Sequence, residues 1–340
     1  MADNSDEIFD SALGCLLAAC IGDAAGATLE FLGRKPTNED VDRAMTMAGG
    51  GVFKLAPGQI TDDGELTLSL ALALSESESF SDETIARSYA EWIRSRPFDI
   101  GMTTQSSLGC FLDPEWELLC EKAGYAVAMS KAAEEFCMDS KANGSLMRAT
   151  PLGIWGHRLK SGDIARIAKA DSCLSHPNSS CWQAVACYAI AIAIASLINN
   201  PNDRRGAFDR AFEWADSTAN GEVNEWLTDA EENNDVPYHP LAGFVKIGFT
   251  HAFRHLLLGS NYEEALRETL LGGGDTDTNA CIVGGLVGAA CGASSLPDHM
   301  KQAVLNCDTT KGRKPRSERF STHQLPSLAE ILLAMAPSSL

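Results

Sequence analysis

The chain has 340 residues, 45% of them hydrophobic and 21% charged, enough for one large domain or two ordinary ones with a well-buried core. Its formal net charge is -19, which makes nucleic acid and membrane surfaces poor partners. A nucleotide ligand is not excluded, because a metal ion can invert the local field. The 11 cysteines are odd in number and include no CxxC, so a zinc ribbon or thioredoxin motif is unsupported and they read as reduced, buried small hydrophobes. The start, MADNSDEIFD, lacks the basic and apolar regions of a signal peptide, and the longest apolar run, Ala184 to Ala195, is too short to span a bilayer. A cytoplasmic protein is expected.

Helical patterns dominate in chain order. Ser11 to Ile21 is apolar on nearly all sides and is predicted to break at Gly22-Asp23. Further helices are predicted over 65–74, from Asp82 to Arg94, and over 115–136, 162–170, 179–197, 206–217, 241–258, 261–270, 279–292 and 327–335. The stretch AIAIAIA at 189–195 also fits a strand, but its alanine content and apolar flanks favour a buried helix. Polar stretches occupy 199–206, 218–240 and 308–325, with no long linker or repeat. The fold class is all-α. Two series carry small residues at every fourth position, Gly14-Ala18-Gly22-Gly26 and Gly284-Gly288-Gly292. Each helical glycine costs roughly 1 kcal/mol, so these series predict faces that another helix backbone approaches closely.

Two clusters carry more carboxylates than helix capping requires. Thr61-Asp62-Asp63 precedes one apolar helix, and Asp275-Thr276-Asp277-Thr278, after three glycines, precedes another. Carboxylate and hydroxyl oxygens suit Mg²⁺, Mn²⁺ or Ca²⁺ and not zinc, and glycines at 272–274 permit positive φ. If Asp62, Asp63, Asp275 and Asp277 meet within roughly 5 Å, each pair repels by about 3 kcal/mol at an effective dielectric near 20. Cations would relieve that repulsion. An EF-hand fails, because its sixth and twelfth positions are Ala280 and Leu286. His251 and His255 lack the glutamate of HExxH and read as helix-face histidines. Taken alone, His176 before Pro177 reads as a turn or capping residue.

The chain resembles the ADP-ribosylglycohydrolases, which include bacterial dinitrogenase-reductase-activating glycohydrolases and animal ADP-ribosyl-arginine and ADP-ribosyl-serine hydrolases. The resemblance rests on GCLLAACIGDAAGATLEF (14–31), GQITDDGELTLSLALAL (58–74), PFDIGMTT (97–104), NGSLMRATPLG (143–153), LSHPNSS (174–180) and GGDTDTNACIVGGLVGA (273–289). It implies one domain over residues 10–335, a compact orthogonal multi-helix bundle with a binuclear site for Mg²⁺ or Mn²⁺ at the base of a cleft. The metal ligands it implies are Thr61, Asp62, Asp63, Asp275, Asp277 and Thr278, with Asp62, Asp63 and Asp277 as catalytic carboxylates. It places Glu30 on a loop that caps the metals. Asn143, Gly144 and Ser145 fall on the substrate's ribose and phosphates, His176 near the diphosphate, and Asp99 facing the target linkage.

Gly64 stands where the family often has threonine, and the loop DSKANGS lacks a further glycine found in several members. The activity implied is metal-dependent removal of ADP-ribose from arginine or guanidine N-glycosides, by a monomer that releases ADP-ribose. Alternatives are an ADP-ribosyl-serine or O-acetyl-ADP-ribose hydrolase, a hydrolase of another small nucleotide, and a non-catalytic ADP-ribose-binding or crystallin-like member.

Overall fold

In a computed structural model of the protein, residues 4–77, 79–197 and 204–340 are described. Helix α1 (Asn4–Gly26) continues through the Gly22-Asp23 pair where the sequence predicts a break. The reason lies in its partner, α15 (Thr276–Cys291), which lies against it backbone to backbone. A Cβ at Gly22 would stand 2.2 Å from the carbonyl oxygen of Ala280, and one at Gly26 would stand 2.4 Å from that of Thr276. From the other side, a Cβ on Gly284 would meet the Ala18 carbonyl at 2.4 Å. The two small-residue series therefore interlock, and dense packing offsets the helix-propensity cost of the glycines. By length and composition alone Ser5–Gly26 could cross a membrane, but 72% of its apolar window is buried inside this fold.

The remaining elements surround that pair. They are α2 (Asn38–Met45), α3 (Asp62–Leu74), α4 (Asp82–Arg94), α5 (Met102–Leu108), α6 (Pro114–Ala123), α7 (Tyr125–Phe136), α8 (Thr150–Trp155) and α9 (Ser161–Ser172). Then follow α10 (Ser179–Leu197), α11 (Arg204–Thr218), α12 (Gly221–Glu231), α13 (Val245–Leu258), α14 (Tyr262–Gly272), α16 (Asp298–Leu305) and α17 (Leu325–Ala334). Among the described residues there is no strand, only isolated bridges Gly50–Leu55 and Ala142–Phe244. The alternating segment 189–195 lies within α10 and is helical.

Three further expectations need correction. The helix predicted over 115–136 is two helices, divided at Gly124, whose φ of 95° no α-helix accommodates. The polar stretch 218–240 contains α12, capped by Asn220 and buried through Val223, Trp226, Leu227 and Ala230, an i, i+3, i+4, i+7 stripe hidden by its acidic neighbours. The helices expected from 65 and 279 begin at Asp62 and Thr276, so Asp62, Asp63, Asp277 and Thr278 belong to first turns and not to preceding loops. Of the polar stretch 199–206, residues 199–203 lie outside the described residues. All 11 cysteines are unpaired, and most are buried.

Two buried ion pairs brace the scaffold. Arg316 grips Glu65 with both prongs of its guanidinium, at 2.7 and 2.8 Å, and donates to the Ser95 and Arg96 carbonyls. Trp92 Nε1 donates to the same carboxylate at 2.7 Å. This ties the C-terminal segment and the turn after α4 to α3. Arg148 pairs with Asp171 at 3.2 Å, donates to the Asp171 carbonyl and lies over the Tyr89 ring, while Tyr89 Oη donates to Asp171 at 2.6 Å.

Candidate active site

Helix starts converge on one cleft. The α1–α15 contact sets the start of α15 beside the end of α1. Gly273 and Gly274, with φ of 77° and 75°, turn the chain into α15 in a backbone conformation that favours glycine. Helix α3 arrives with its first turn facing the same place. Its amide groups are not capped by Thr61 or Asp62, the residue types that sequence reading assigns to that job. The cap is Asp23, from within α1. Its carboxylate accepts from Thr61 N at 2.9 Å, Thr61 Oγ1 at 2.7 Å and Gly64 N at 2.9 Å. Burial pushes Asp23 up to about 7 although these bonds pull the other way. A Cβ at Gly64 would stand 2.8 Å from Asp23 Oδ2 and 2.9 Å from Ile60 Cβ, so this arrangement has room only for glycine there.

With capping supplied from elsewhere, the carboxylates of Asp62 and Asp63 are left to the site. Of the residues singled out in the sequence, Glu30, Asp62, Asp99, Asn143, Gly144, His176, Asp275, Asp277 and Thr278 line a cleft of about 360 Å³. Thr61, Asp63 and Ser145 lie behind its wall. The Thr61 hydroxyl is turned to Asp23, and Ser145 accepts a hydrogen bond from Ser172 at 2.9 Å. A second cavity of about 470 Å³ shares Glu30 and Asp275 and is walled by residues 29–36, so this loop separates the two spaces.

Oxygen atoms of Glu30, Asp275 and Asp277 lie within 4.8 Å of one another. Asn143 Nδ2 donates to Asp275 at 2.8 Å. Glu30 Oε2 and Asp63 Oδ1 are buried with no hydrogen-bond partner, an arrangement costly for a carboxylate unless a cation or proton compensates it. Asp62, Asp63 and Asp277 are raised well above the usual carboxylate range, first by burial and then by neighbouring carboxylates. Glu30 rises to about 8 and Asp99 to about 6 for the same reasons. Among the described residues no lysine or arginine pairs with Glu30, Asp62, Asp63, Asp275 or Asp277. An all-oxygen set of this kind fits a hard divalent cation.

His176 belongs to the cleft and is not a mere turn residue. Its Nδ1 meets Ser175 Oγ at 2.8 Å, while the buried Nε2 has no partner and neighbours Gly144. Burial, with Arg148 nearby, lowers it to about 3, so the ring is neutral near pH 7. His251 and His255 are packing residues. The first donates from Nε2 to the Val236 carbonyl at 2.9 Å and stacks on Tyr238 at 4.3 Å, and the second meets Ser260 Oγ at 3.0 Å.

The family model for ADP-ribosylglycohydrolase matches residues 4–337. The chain belongs to the ADP-ribosylglycohydrolase family. It is 30% identical over 325 residues to a protein named as an ADP-ribosyl glycohydrolase in Acanthamoeba polyphaga mimivirus, covering 88% of this chain and 92% of that one. It is 27% identical to an ADP-ribosylarginine hydrolase of Serratia proteamaculans, over 97% of this chain and 81% of the relative. A solved structure described as an ADP-ribosylglycohydrolase-related protein complex superimposes with a TM-score of 0.71 at 23% identity, covering 97% of this chain and 99% of that chain, which shows a shared fold. At the level of the family, this ADP-ribosylglycohydrolase is a hydrolase of ADP-ribosyl bonds.

Sequence reading missed Asp23, Arg148 with Asp171, and Glu65 with Arg316. Only Asp23 carried a signal, a lone charge inside an otherwise apolar helix.

Proposed function

We propose that this ADP-ribosylglycohydrolase removes ADP-ribose from arginine or guanidine N-glycosides and uses two divalent cations, Mg²⁺ or Mn²⁺. The observation that carries the linkage is Asp99, a carboxylate in the cleft wall within electrostatic reach of Asp62 and Asp275. A guanidinium offers a planar fork of donors that a carboxylate accepts in two bonds, and a serine O-glycoside offers no cation. The resemblance to an ADP-ribosylarginine hydrolase supports the same choice.

Asp62, Asp63, Asp275 and Asp277, with Glu30 and the Thr61 and Thr278 hydroxyls, are the groups that would hold the cations. Bound there, divalent cations supply Lewis acidity and neutralise the crowded carboxylates. The protein's own groups do the rest. Asn143 and Gly144 receive the substrate's ribose and phosphates beside the unpaired Nε2 of His176, with Ser145 supporting that loop from beneath. Water attacks the anomeric carbon as the C–N bond breaks, and that bond's electron pair stays on the guanidine nitrogen. Asp62 takes the water's proton, and the departing guanidine gains one from the acid cluster. Positive charge on the sugar in the transition state is stabilised by the surrounding carboxylates.

The test is a linkage panel of ADP-ribosyl-arginine, ADP-ribosyl-serine and O-acetyl-ADP-ribose, with Mg²⁺ or Mn²⁺ and with chelator. Loss of a charge-assisted hydrogen bond costs about 1.5–3 kcal/mol. Asp99→Asn therefore lowers kcat/KM on ADP-ribosyl-arginine by roughly ten- to a hundredfold and leaves the O-linked substrates nearly unchanged. An equal fall on all three would make Asp99 structural or generally catalytic. A wild type that prefers the serine linkage would overturn the assignment.

A further inference from the structure

Three rings run in a row from the cleft lining outward. Phe31, 63% exposed, lines the cleft and meets Phe53 edge-on at 6.0 Å between centroids. Phe53 meets Phe98 at 5.5 Å, and Phe98 precedes Asp99 in the chain. The ammonium of Lys314 lies 5.8 Å from the Phe53 centroid and 5.6 Å from that of Phe98. It also acts electrostatically on Asp99.

The main chain at Lys314 is fixed while its ammonium is not. Gln59 Nε2 donates to the Lys314 carbonyl at 2.7 Å, and Arg316, two residues later, is locked to Glu65. Among the described residues the ammonium forms no hydrogen bond or ion pair, and rests on the two rings and its attraction to Asp99. Two π faces and a carboxylate are also the chemistry that recognises an alkylguanidinium. A lysine head on a flexible four-carbon stem can leave such a place without disturbing its anchored backbone.

We propose that Phe53, Phe98 and Asp99 form the subsite for the cationic leaving group, and that the Lys314 ammonium is its internal occupant, displaced when the substrate's guanidinium arrives. This rests on the guanidine reading above. Lys314 is then a specificity-determining residue, because it opposes cationic leaving groups and is indifferent to neutral ones.

The experiment measures kcat and KM for ADP-ribosyl-arginine and O-acetyl-ADP-ribose in the wild type and in Lys314→Met, Lys314→Arg, Phe53→Leu and Phe98→Leu, with thermal unfolding as a check on folding. Lys314→Met lowers KM for ADP-ribosyl-arginine by roughly three- to tenfold, with kcat and the O-linked KM within about twofold of wild type. Phe53→Leu and Phe98→Leu, which keep apolar bulk and lose the π face, raise the same KM by a similar factor. Lys314→Arg, which keeps the cation, stays within about twofold of wild type. A Lys314→Met variant that raises KM for both substrates, or changes neither, overturns the proposal. If the wild type favours ADP-ribosyl-arginine and the variants do not discriminate, the proposal alone fails. If the wild type favours the O-linked substrate, the guanidine reading fails and takes the proposal with it.

Discussion

Asp63 and Glu65 stand two residues apart on α3, one 1% and the other 2% exposed. Glu65 receives a bidentate arginine and an indole N–H, so its charge is matched by the chain itself. Asp63 has an oxygen without a partner and sits among other carboxylates. The Arg148–Asp171 pair repeats the first pattern beneath the loop that carries Asn143 and Gly144. The difference separates scaffold from site. Where a buried carboxylate braces the fold, an arginine from elsewhere in the chain meets it. Where Glu30, Asp62, Asp275 and Asp277 face the cleft, no lysine or arginine among the described residues pairs with them, and the local structure is held instead by Asp23 and by helix packing. Between these two residues of α3, burial does not mark the candidate functional one; the lack of an internal counter-charge does.

Four experiments would break or sharpen that contrast. The largest effect is expected from Asp277→Ala, which lowers turnover by at least about a thousandfold, on the scale of losing several kcal/mol of transition-state stabilisation. Its unfolding midpoint in chelator does not fall, because a source of repulsion has been removed. A midpoint well below wild type would place Asp277 with Glu65 as a bracing residue. The mirror experiment is Arg316→Met. Removing one partner of a buried pair typically costs about 3–5 kcal/mol, so denaturant unfolding shows a large loss of stability whether or not divalent cations are present. A change below about 1 kcal/mol would deny Arg316 its bracing role.

Gly22→Ala comes next. The added Cβ must displace the Ala280 backbone, and overpacking of this kind costs about 1–3 kcal/mol. It also moves the end of α1 against the start of α15, so activity falls more than stability alone explains when both are measured at a temperature where the variant is fully folded.

The smallest effect is a pH dependence. A carboxyl that holds its proton more tightly when folded favours folding below its unfolded pKa near 4, and that advantage disappears as pH rises through the folded value. Asp99, Asp23 and Glu30, raised to about 6, 7 and 8, set the window at about pH 4–8. The metal-free protein therefore melts lower at pH 8.5 than at pH 5.5, by roughly a few degrees. Millimolar Mg²⁺ or Mn²⁺ raises the midpoint more at the higher pH, because cations replace the missing protons. A midpoint that rises with pH in chelator would show that these carboxylates are not in fact crowded.

Much of this was legible in the sequence because the signals are local. The TDD and DTDT clusters stand out as more acid than a cap requires, and the two small-residue series announce a close helix contact without naming the pairing. The bracing charges were not legible. Glu65 and Arg316 are 251 residues apart, and Arg316 sits in a polar stretch where an arginine is unremarked. Helix α12 was hidden because its buried stripe is interrupted by acidic residues on the exposed face. In the sequence Asp23 looks like a helix breaker, since a charge after glycine usually ends an apolar run, whereas burial against the start of α3 gives it three donors. Lys314 could not be tied to Asp99 by any pattern, because 215 residues separate them and they meet only where Phe98, beside Asp99, packs on Phe53.

The glycine contact between α1 and α15 has one more consequence. Side chains can rotate to absorb an error, but two main chains in direct contact cannot. Glu30, shortly after the end of one helix, and Asp275 and Asp277, at the start of the other, are thus spaced by a ruler with almost no play. The carboxylates themselves can drift or be exchanged without changing that spacing, while a single methyl group on the ruler alters it. If the proposed cations bind there, selection for one cation radius over another would act on residues that never touch the cation, and a redesign of the site's width should begin at Gly22, Gly26 and Gly284, not at the carboxylates.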